Sequence, residues 1–149
     1  MGHVDLSLSE LYESGQPRER FDGTLDLWAF SVSVANEPSV LIDVHGLVVA
    51  ASPGCGALFG IRSADAVGRP LVDGVLRLLD FNTVSGVLPG WEVDKIPPLL
   101  AMTTGGLARG LLRVPGADGA VTTVDAISVP LRDESEIVGS LTFFAPVTR

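Results

Sequence analysis

Two blocks of strand pattern, separated by a long stretch with none, constrain this chain more than any other feature. The first block is Val40-Leu41-Ile42, then Asp43-Val44-His45-Gly46, then Leu47-Val48-Val49-Ala50-Ala51. Apolar runs on either side of an Asp- and Gly-bearing turn form a β-hairpin, because glycine accepts the positive φ such turns need. The second block starts at Leu107 and runs to Val114, turns at Pro115-Gly116-Ala117-Asp118-Gly119, and continues from Ala120 to Leu131. A polar turn, Arg132-Asp133-Glu134-Ser135-Glu136, leads into Ile137 to Ala145. Strands joined by turns this short run antiparallel. Ile127, Val129 and Leu131 alternate with Ser128 and Pro130, the period of a strand with two unlike faces. Pro130 has no N–H for a ladder, so it marks an edge or a bulge. The expected fold is α+β: a five-stranded antiparallel sheet, short helices on one side, and an N-terminal helical extension.

The intervening stretch, Ser52 to Gly106, reads as short helices and loops. Ser52 caps a helix with Pro53 at its first position and Gly60 after its end. Ser63 caps a further turn that Gly68 closes. Val72 to Leu79 is expected to be helical, Asn82 to Gly90 a loop, and Asp94 to Thr104 a helix with Pro97-Pro98 in its first turn.

Residues 1–37 form the extension and residues 38–149 the domain. The extension carries seven acids against two arginines. Ser7-Leu8-Ser9-Glu10 is a capping box, flanked by Leu6 and Leu11 as a hydrophobic staple, and Gly15 and Pro17 end that helix. A second helix starts near Asp22 or Thr24 and reaches about Ala35. Phe30 to Val34 alternates as a strand would, but Leu25, Trp28, Ala29 and Val32 share one helical face. Leu27 and Phe30 fall off that face. The extension therefore has apolar surface for the domain's own sheet and for a partner, the partner surface being Leu8, Leu11, Tyr12, Leu27, Trp28 and Phe30.

Composition excludes several functions. With 18 acids, 10 bases and a net charge of −8, the chain offers little to phosphates, so neither nucleic acid nor an anionic membrane is expected as a partner. Asp43 and His45 interrupt the best apolar run, so no bilayer span is expected, and Met-Gly-His-Val-Asp does not begin a signal peptide. The single cysteine, Cys55, forms no internal disulfide and fits a reducing, cytoplasmic compartment.

Few residues carry chemistry. Gly54-Cys55-Gly56-Ala57-Leu58-Phe59-Gly60 has dinucleotide-loop spacing, but no parallel β-α-β unit follows, so the glycines read as packing and turn residues. Cys55 lacks a histidine and acid to activate it and reads as a small buried hydrophobe. His45 sits in a turn exposed to water. Asp133, Glu134 and Glu136 read as a solvated turn rather than an acid–base pair. Two histidines and one cysteine make a transition-metal site improbable.

From Pro38 to Thr148 the chain resembles a PAS domain. The matching segments are the Asp43–Gly46 hairpin ending at Ser52-Pro53, Leu58-Phe59-Gly60, Val67-Gly68-Arg69-Pro70-Leu71, Asp118-Gly119, Val129-Pro130-Leu131-Arg132-Asp133, and Ile137-Val138-Gly139-Ser140-Leu141. Ser52 stands where the family has Asn, and Pro146 where it often has the Asp that opens a linker. The chain stops there, so an output domain on the same polypeptide is not expected. The resemblance implies a non-enzymatic sensory or regulatory module of signal transduction, with a small apolar ligand or a signalling protein as partner, working as a homodimer. It implies a ligand space under the crossover helix, lined by Ile96, Leu99, Leu100, Met102 and Thr103. Leu111, Arg113, Ile127, Val129, Leu141 and Phe143 are implied as its sheet side, with Ser128 nearby. The cofactor, if one binds, stays unknown: the light-sensor signature Gly-x-Asn-Cys-Arg-Phe-Leu is absent, no histidine stands on the crossover helix, and Met102 alone does not make a haem site. Two alternatives stay open. One is a ligand-free dimerisation scaffold; the other is a small isomerase-like enzyme on a cone-shaped α+β fold, using Asp125 as a buried acid.

Overall fold

The computed structural model of the chain describes residues 23–81 and 86–147. Helix α1 (Thr24–Ser33) leads into strands β1 (Ser39–Asp43) and β2 (Val48–Ala51). Helices α2 (Pro53–Phe59), α3 (Ser63–Ala66), α4 (Gly90–Val93) and α5 (Pro97–Thr104) form the crossover. Strands β3 (Ala108–Pro115), β4 (Val121–Asp133) and β5 (Glu136–Pro146) complete one five-stranded sheet, in the order β2-β1-β5-β4-β3. Every pairing is antiparallel. The expected fold class is the one observed.

The hairpin turn is built by Asp43. Its Oδ1 accepts from the His45 amide at 2.9 Å and the Leu47 amide at 3.1 Å, and Gly46 follows at φ 78°. Pro130 sits where β4 has outrun β3, whose first pair is Ala108 with Ser128, so no β3 acceptor goes unmet. One residue further, the register shifts between Leu131 and Arg132, leaving Val138 bulged out of β5. A matching shift between Leu41 and Ile42 leaves Val49 bulged out of β2.

The sheet separates two apolar clusters. On the inner face Val40, Ile42, Leu112, Val114, Val124, Ala126 and Phe144 pack against the crossover, with Phe144 edge-on to Phe59 at 5.1 Å between ring centres. On the outer face Leu41, Ala50 and Leu141, with the bulged Val49 and Val138, lie under Leu25, Ala29 and Val32 of α1. That spacing, i, i+4, i+7, is one helical stripe. Leu27, Trp28 and Phe30 are exposed, at 40%, 39% and 57%.

Four expectations need correction, the first being that Ser63 does not cap α3 but is its first residue, with Arg62 at the cap position and no side-chain cap bond. Val72 to Leu79 is not a helix but turns joined by isolated bridges, Val72 to Leu76 and Leu79 to Val87. Asp94 to Thr104 is not continuous: α4 ends at Val93, and Ile96 stays extended at ψ 150° because a residue before proline is kept out of the helical region. Ser52 stands before α2 but does not cap it; its hydroxyl donates to the Glu37 carbonyl at 2.6 Å and accepts from the Ser39 amide at 2.9 Å. The capping box at Ser7, with Leu8, Leu11 and Tyr12, lies outside the described residues, as does Asn82 to Ser85. No helix among the described residues is long and apolar enough to cross a membrane.

β5 passes between β1 and α1 at Gly139. A Cβ there would overlap the Ile42 carbonyl oxygen and lie 2.9 Å from Leu25 Cδ2. Gly139→Ala is expected to cost about 1–3 kcal/mol, seen as a lower urea midpoint at unchanged m. Gly106→Ala, where nothing lies within 4 Å, should shift the midpoint little.

Candidate functional site

The centre of the inner face is polar. Ser128 and Thr142 are paired across β4 and β5, and their buried hydroxyls lie 2.5 Å apart. Ser140 Oγ donates to the Pro98 carbonyl at 2.8 Å. Small side chains on both sides, with buried Pro98 and Ala101 above, let α5 seat directly on β4 and β5. The middle of the inner face is thus filled by the helix.

Space opens instead toward β3. A cleft of 170 Å³ is walled by Leu78, Leu88, Ile96 and Leu112. Glu92, Lys95 and Arg109 stand at its rim, with Lys95 Nζ 3.7 Å from Glu92 Oε1. Its floor is tied to the sheet: the Leu79 amide donates to the Arg113 carbonyl at 2.8 Å, and Arg113 Nη1 donates to the Asp80 carbonyl at 2.8 Å. The volume is below the roughly 300–1,000 Å³ of drug-sized sites. Its volume is close to that of the roughly 150 Å³ enclosed cavity known to hold a benzene-sized ligand, but this cleft is open and Glu92, Lys95, Arg109 and Arg113 join its lining. A second, shallower groove of 660 Å³ runs between α1 and β2, lined by Asp26, Ala29, Phe30, Ser33, Val49 and Val67 among others.

The residues expected to line one ligand space are divided between places: Leu99, Met102 and Thr103 line an open groove of 610 Å³ with Val44, Asp94 and Ile137, and the others lie elsewhere. Ile96, Leu99 and Met102 pack in the inner cluster, and Leu100 is half-buried on the same helix. Thr103 is exposed and its hydroxyl donates back to the Leu99 carbonyl at 3.2 Å. Leu111, Ile127, Val129, Leu141 and Phe143 are on the outer phase of their strands, opposite the inner-facing Leu112, Ala126 and Phe144. Val129 and Leu141 pack toward α1, whereas Leu111 and Phe143 are 54% and 44% exposed. Of the expected set, Ile96, Leu111 and Arg113 border the cleft. Leu78, Leu88 and Leu112 were not singled out from the sequence. For Leu112 the signal was ambiguous, since Leu111 and Leu112 are both apolar and alternation alone does not say which points inward.

The remaining candidates are placed as follows. Cys55 is buried, its Sγ donating to the Ser39 carbonyl at 3.0 Å, and burial raises its thiol pKa. Gly54 is a packing glycine, because a Cβ there would overlap the Asn36 carbonyl oxygen. His45 is exposed in its turn. Among the described residues, no group of three or more His, Cys, Asp or Glu could hold a metal ion. Asp125 is solvent-accessible on the outer face and chelated by Arg109, through Nε at 3.1 Å and Nη2 at 2.6 Å. Those hydrogen bonds hold its carboxyl below the usual aspartate range. A buried general acid needs the opposite shift, so the isomerase reading loses the residue it depended on.

The same topology is found in PAS domains. No protein-family model matches the sequence, and a search of curated proteins finds no match. Among solved structures, the PAS domain of a protein from Colwellia psychrerythraea is similar at TM-score 0.60 and 21% identity, over 83% of this chain and 97% of that one. VqmA of Vibrio cholerae, described as a dimeric LuxR-type receptor that binds DNA, is similar at TM-score 0.60 and 20% identity. A VqmA structure bound to DPO gives the same values. The match spans 84% of this chain in both cases and only 52% and 58% of the VqmA chains. A light-oxygen-voltage domain is similar at TM-score 0.56 and 20% identity, over 99% of this chain. The chain has the PAS fold.

Three outcomes follow from this geometry. Thr142→Val strands the Ser128 hydroxyl and should cost about 1–3 kcal/mol in chemical denaturation, while Ser128→Ala with Thr142→Val should cost less than the single change. Cys55 should react with a thiol reagent at least about tenfold slower in the native protein than in denaturant, because the neutral buried thiol is a poor nucleophile. The Asp125 carboxyl should titrate below an ordinary aspartate by carbon NMR and move back up in Arg109→Ala. Its pairing contributes to stability above the ordinary aspartate range and is lost as pH falls through the lowered native value.

Proposed function

We propose that this chain is a sensory or regulatory module of signal transduction that takes a small apolar ligand of about one ring in the cleft beside β3. The observation that carries the reading is the 170 Å³ cleft, walled by Leu78, Leu88, Ile96 and Leu112 beside the helix-filled middle of the sheet. A ligand held there touches Ile96 at the start of α5 and Leu112 on β3, so occupancy biases how the crossover sits on the sheet. The bound VqmA structure supports a small-molecule reading for this fold, although that likeness lies at 20% identity. Output goes through surface contact. Leu27, Trp28 and Phe30 on α1 offer the apolar surface for a homodimer or a signalling partner, and the acidic chain works in the cytoplasm without catalysis of its own.

The test is a thermal-shift screen of ring-sized apolar compounds, joined to mass spectrometry of whatever denaturation releases from the purified protein. A ligand at a hundredfold excess over its Kd stabilises by about 2.7 kcal/mol, and Leu88→Phe, which fills the cleft, should abolish the shift. A protein that releases nothing, and whose melting moves with no compound in a concentration-dependent way, is instead the ligand-free scaffold.

A further inference from the structure

Strand β3 ends the sheet on its side, so half of its main-chain groups point away from β4. Its register with β4 runs unbroken from Ala108 with Ser128 to Pro115 with Val121. In such an antiparallel ladder the N–H and C=O of one residue point one way and those of the next residue the other way. Arg113 fixes the phase, because its carbonyl accepts from the Leu79 amide, outside the ladder with β4. Leu111 and Pro115 share that outward phase. Pro115 has no N–H to offer, and the Arg113 carbonyl is taken. At Leu111, among the described residues, neither the amide nor the carbonyl has a protein partner. Those two groups stand at the cleft beside β3, which has Leu79 and Phe81 on one side and Gly110, Leu111 and Leu112 on the other. The cleft thus begins where the chain parts from β3 just beyond the Leu79 contact. Gly110 adds no side chain there, and a Cβ on it would stand 3.4 Å from Pro97 Cγ, so the strand's main chain is bare at this point.

We propose that the ligand of this cleft is a single ring carrying an N–H donor and a carbonyl acceptor on adjacent atoms, a cyclic amide, and that the main chain of Leu111 reads that edge. The proposal rests on the reading of the cleft as a ligand site and adds a polar edge to the ring it takes. One residue of an edge strand presents a donor and an acceptor side by side, the arrangement that a neighbouring strand answers by exchanging two hydrogen bonds. A cyclic amide answers it in the same way, with its donor and acceptor fixed in the plane of the ring. The rest of the ring then meets Leu78, Leu88 and Ile96, which is the apolar body and polar edge common to small-molecule sites. A hydrocarbon ring in the same place strips water from both Leu111 groups and returns no bond, so it is the poorer occupant. No side-chain charge enters the argument. Arg109 is held by Asp125, and Arg113 Nη1 is held by the Asp80 carbonyl.

The experiment is a set of NMR titrations of the full chain with three probes. They are 2-pyridone, which has the edge, N-methyl-2-pyridone, whose donor is blocked, and toluene, which has neither group. The expected result is that 2-pyridone binds about tenfold more tightly than either of the others, the net return of two ordinary hydrogen bonds. It should also move the Leu111 amide downfield together with the Leu78 and Leu88 methyls. A bulk control, 3-methyl-2-pyridone, should follow 2-pyridone rather than its N-methyl isomer. Leu111→Pro removes the donor at a position where an edge strand tolerates proline, and should keep toluene binding while losing the preference for 2-pyridone. Should that variant not fold, the wild-type affinities and the Leu111 amide shift decide alone. Equal binding of the three probes, or a preference undiminished in Leu111→Pro, overturns the cyclic-amide edge and leaves the cleft as a ligand site. Shifts confined to 26–33 and 63–67 overturn it as well. No response to any probe overturns it together with the reading of the cleft.

Discussion

The pairing of β5 on both its edges is the constraint on which this structure rests. The last strand in sequence takes β1 on one side and β4 on the other, and the N-terminal hairpin joins the rest of the sheet only there. Ser39 stands opposite Phe143 and Asp43 opposite Gly139, a separation of about a hundred residues closed by one ladder. Both clusters depend on it. Leu41 and Leu141 meet under α1, and Ile42 and Phe144 share the cluster beneath the crossover, because that ladder fixes their phase.

Much of this was legible from residue order. Hairpins at Asp43–Gly46 and Pro115–Gly119, with a helical stretch between, define the sheet, and the α1 stripe of Leu25, Ala29 and Val32 is helical by spacing alone. The side each strand turns to the core was not legible. Ile127, Val129 and Leu131 do share one face and Ser128 the other, but the apolar face is the outer one. Alternation gives period and not sign, and both faces of this sheet carry cover. Buried hydroxyls reverse the usual inference: Ser128, Ser140 and Thr142 are inside because each finds a partner there, Thr142 for Ser128 and the Pro98 carbonyl for Ser140. The bulges at Val49 and Val138 add a second difficulty, since each shifts the phase partway along its strand.

The candidate cleft was only partly legible for the same reason. Ile96 was identifiable on the crossover, but Leu88 lies in a stretch expected to be loop, and Leu78 in the Val72–Leu79 run, which suggests a helix. It adopts turns because its amides are claimed by other chain segments: Leu79 by Arg113 and Leu88 by Leu78. Tertiary hydrogen bonds of this kind leave no local periodicity to read. The two prolines that open α5 act in the opposite way, forcing a break before the helix where the sequence suggested one continuous helix from Asp94.

The two outermost strands are also guarded. Val48 on β2 exchanges hydrogen bonds with Gly68 and Arg69, and β3 gives its Arg113 carbonyl to Leu79. Main-chain groups there are already spoken for, so a neighbouring molecule cannot extend the sheet by zipping on another strand at those positions. At those positions the borders of the sheet present side-chain relief rather than a backbone template.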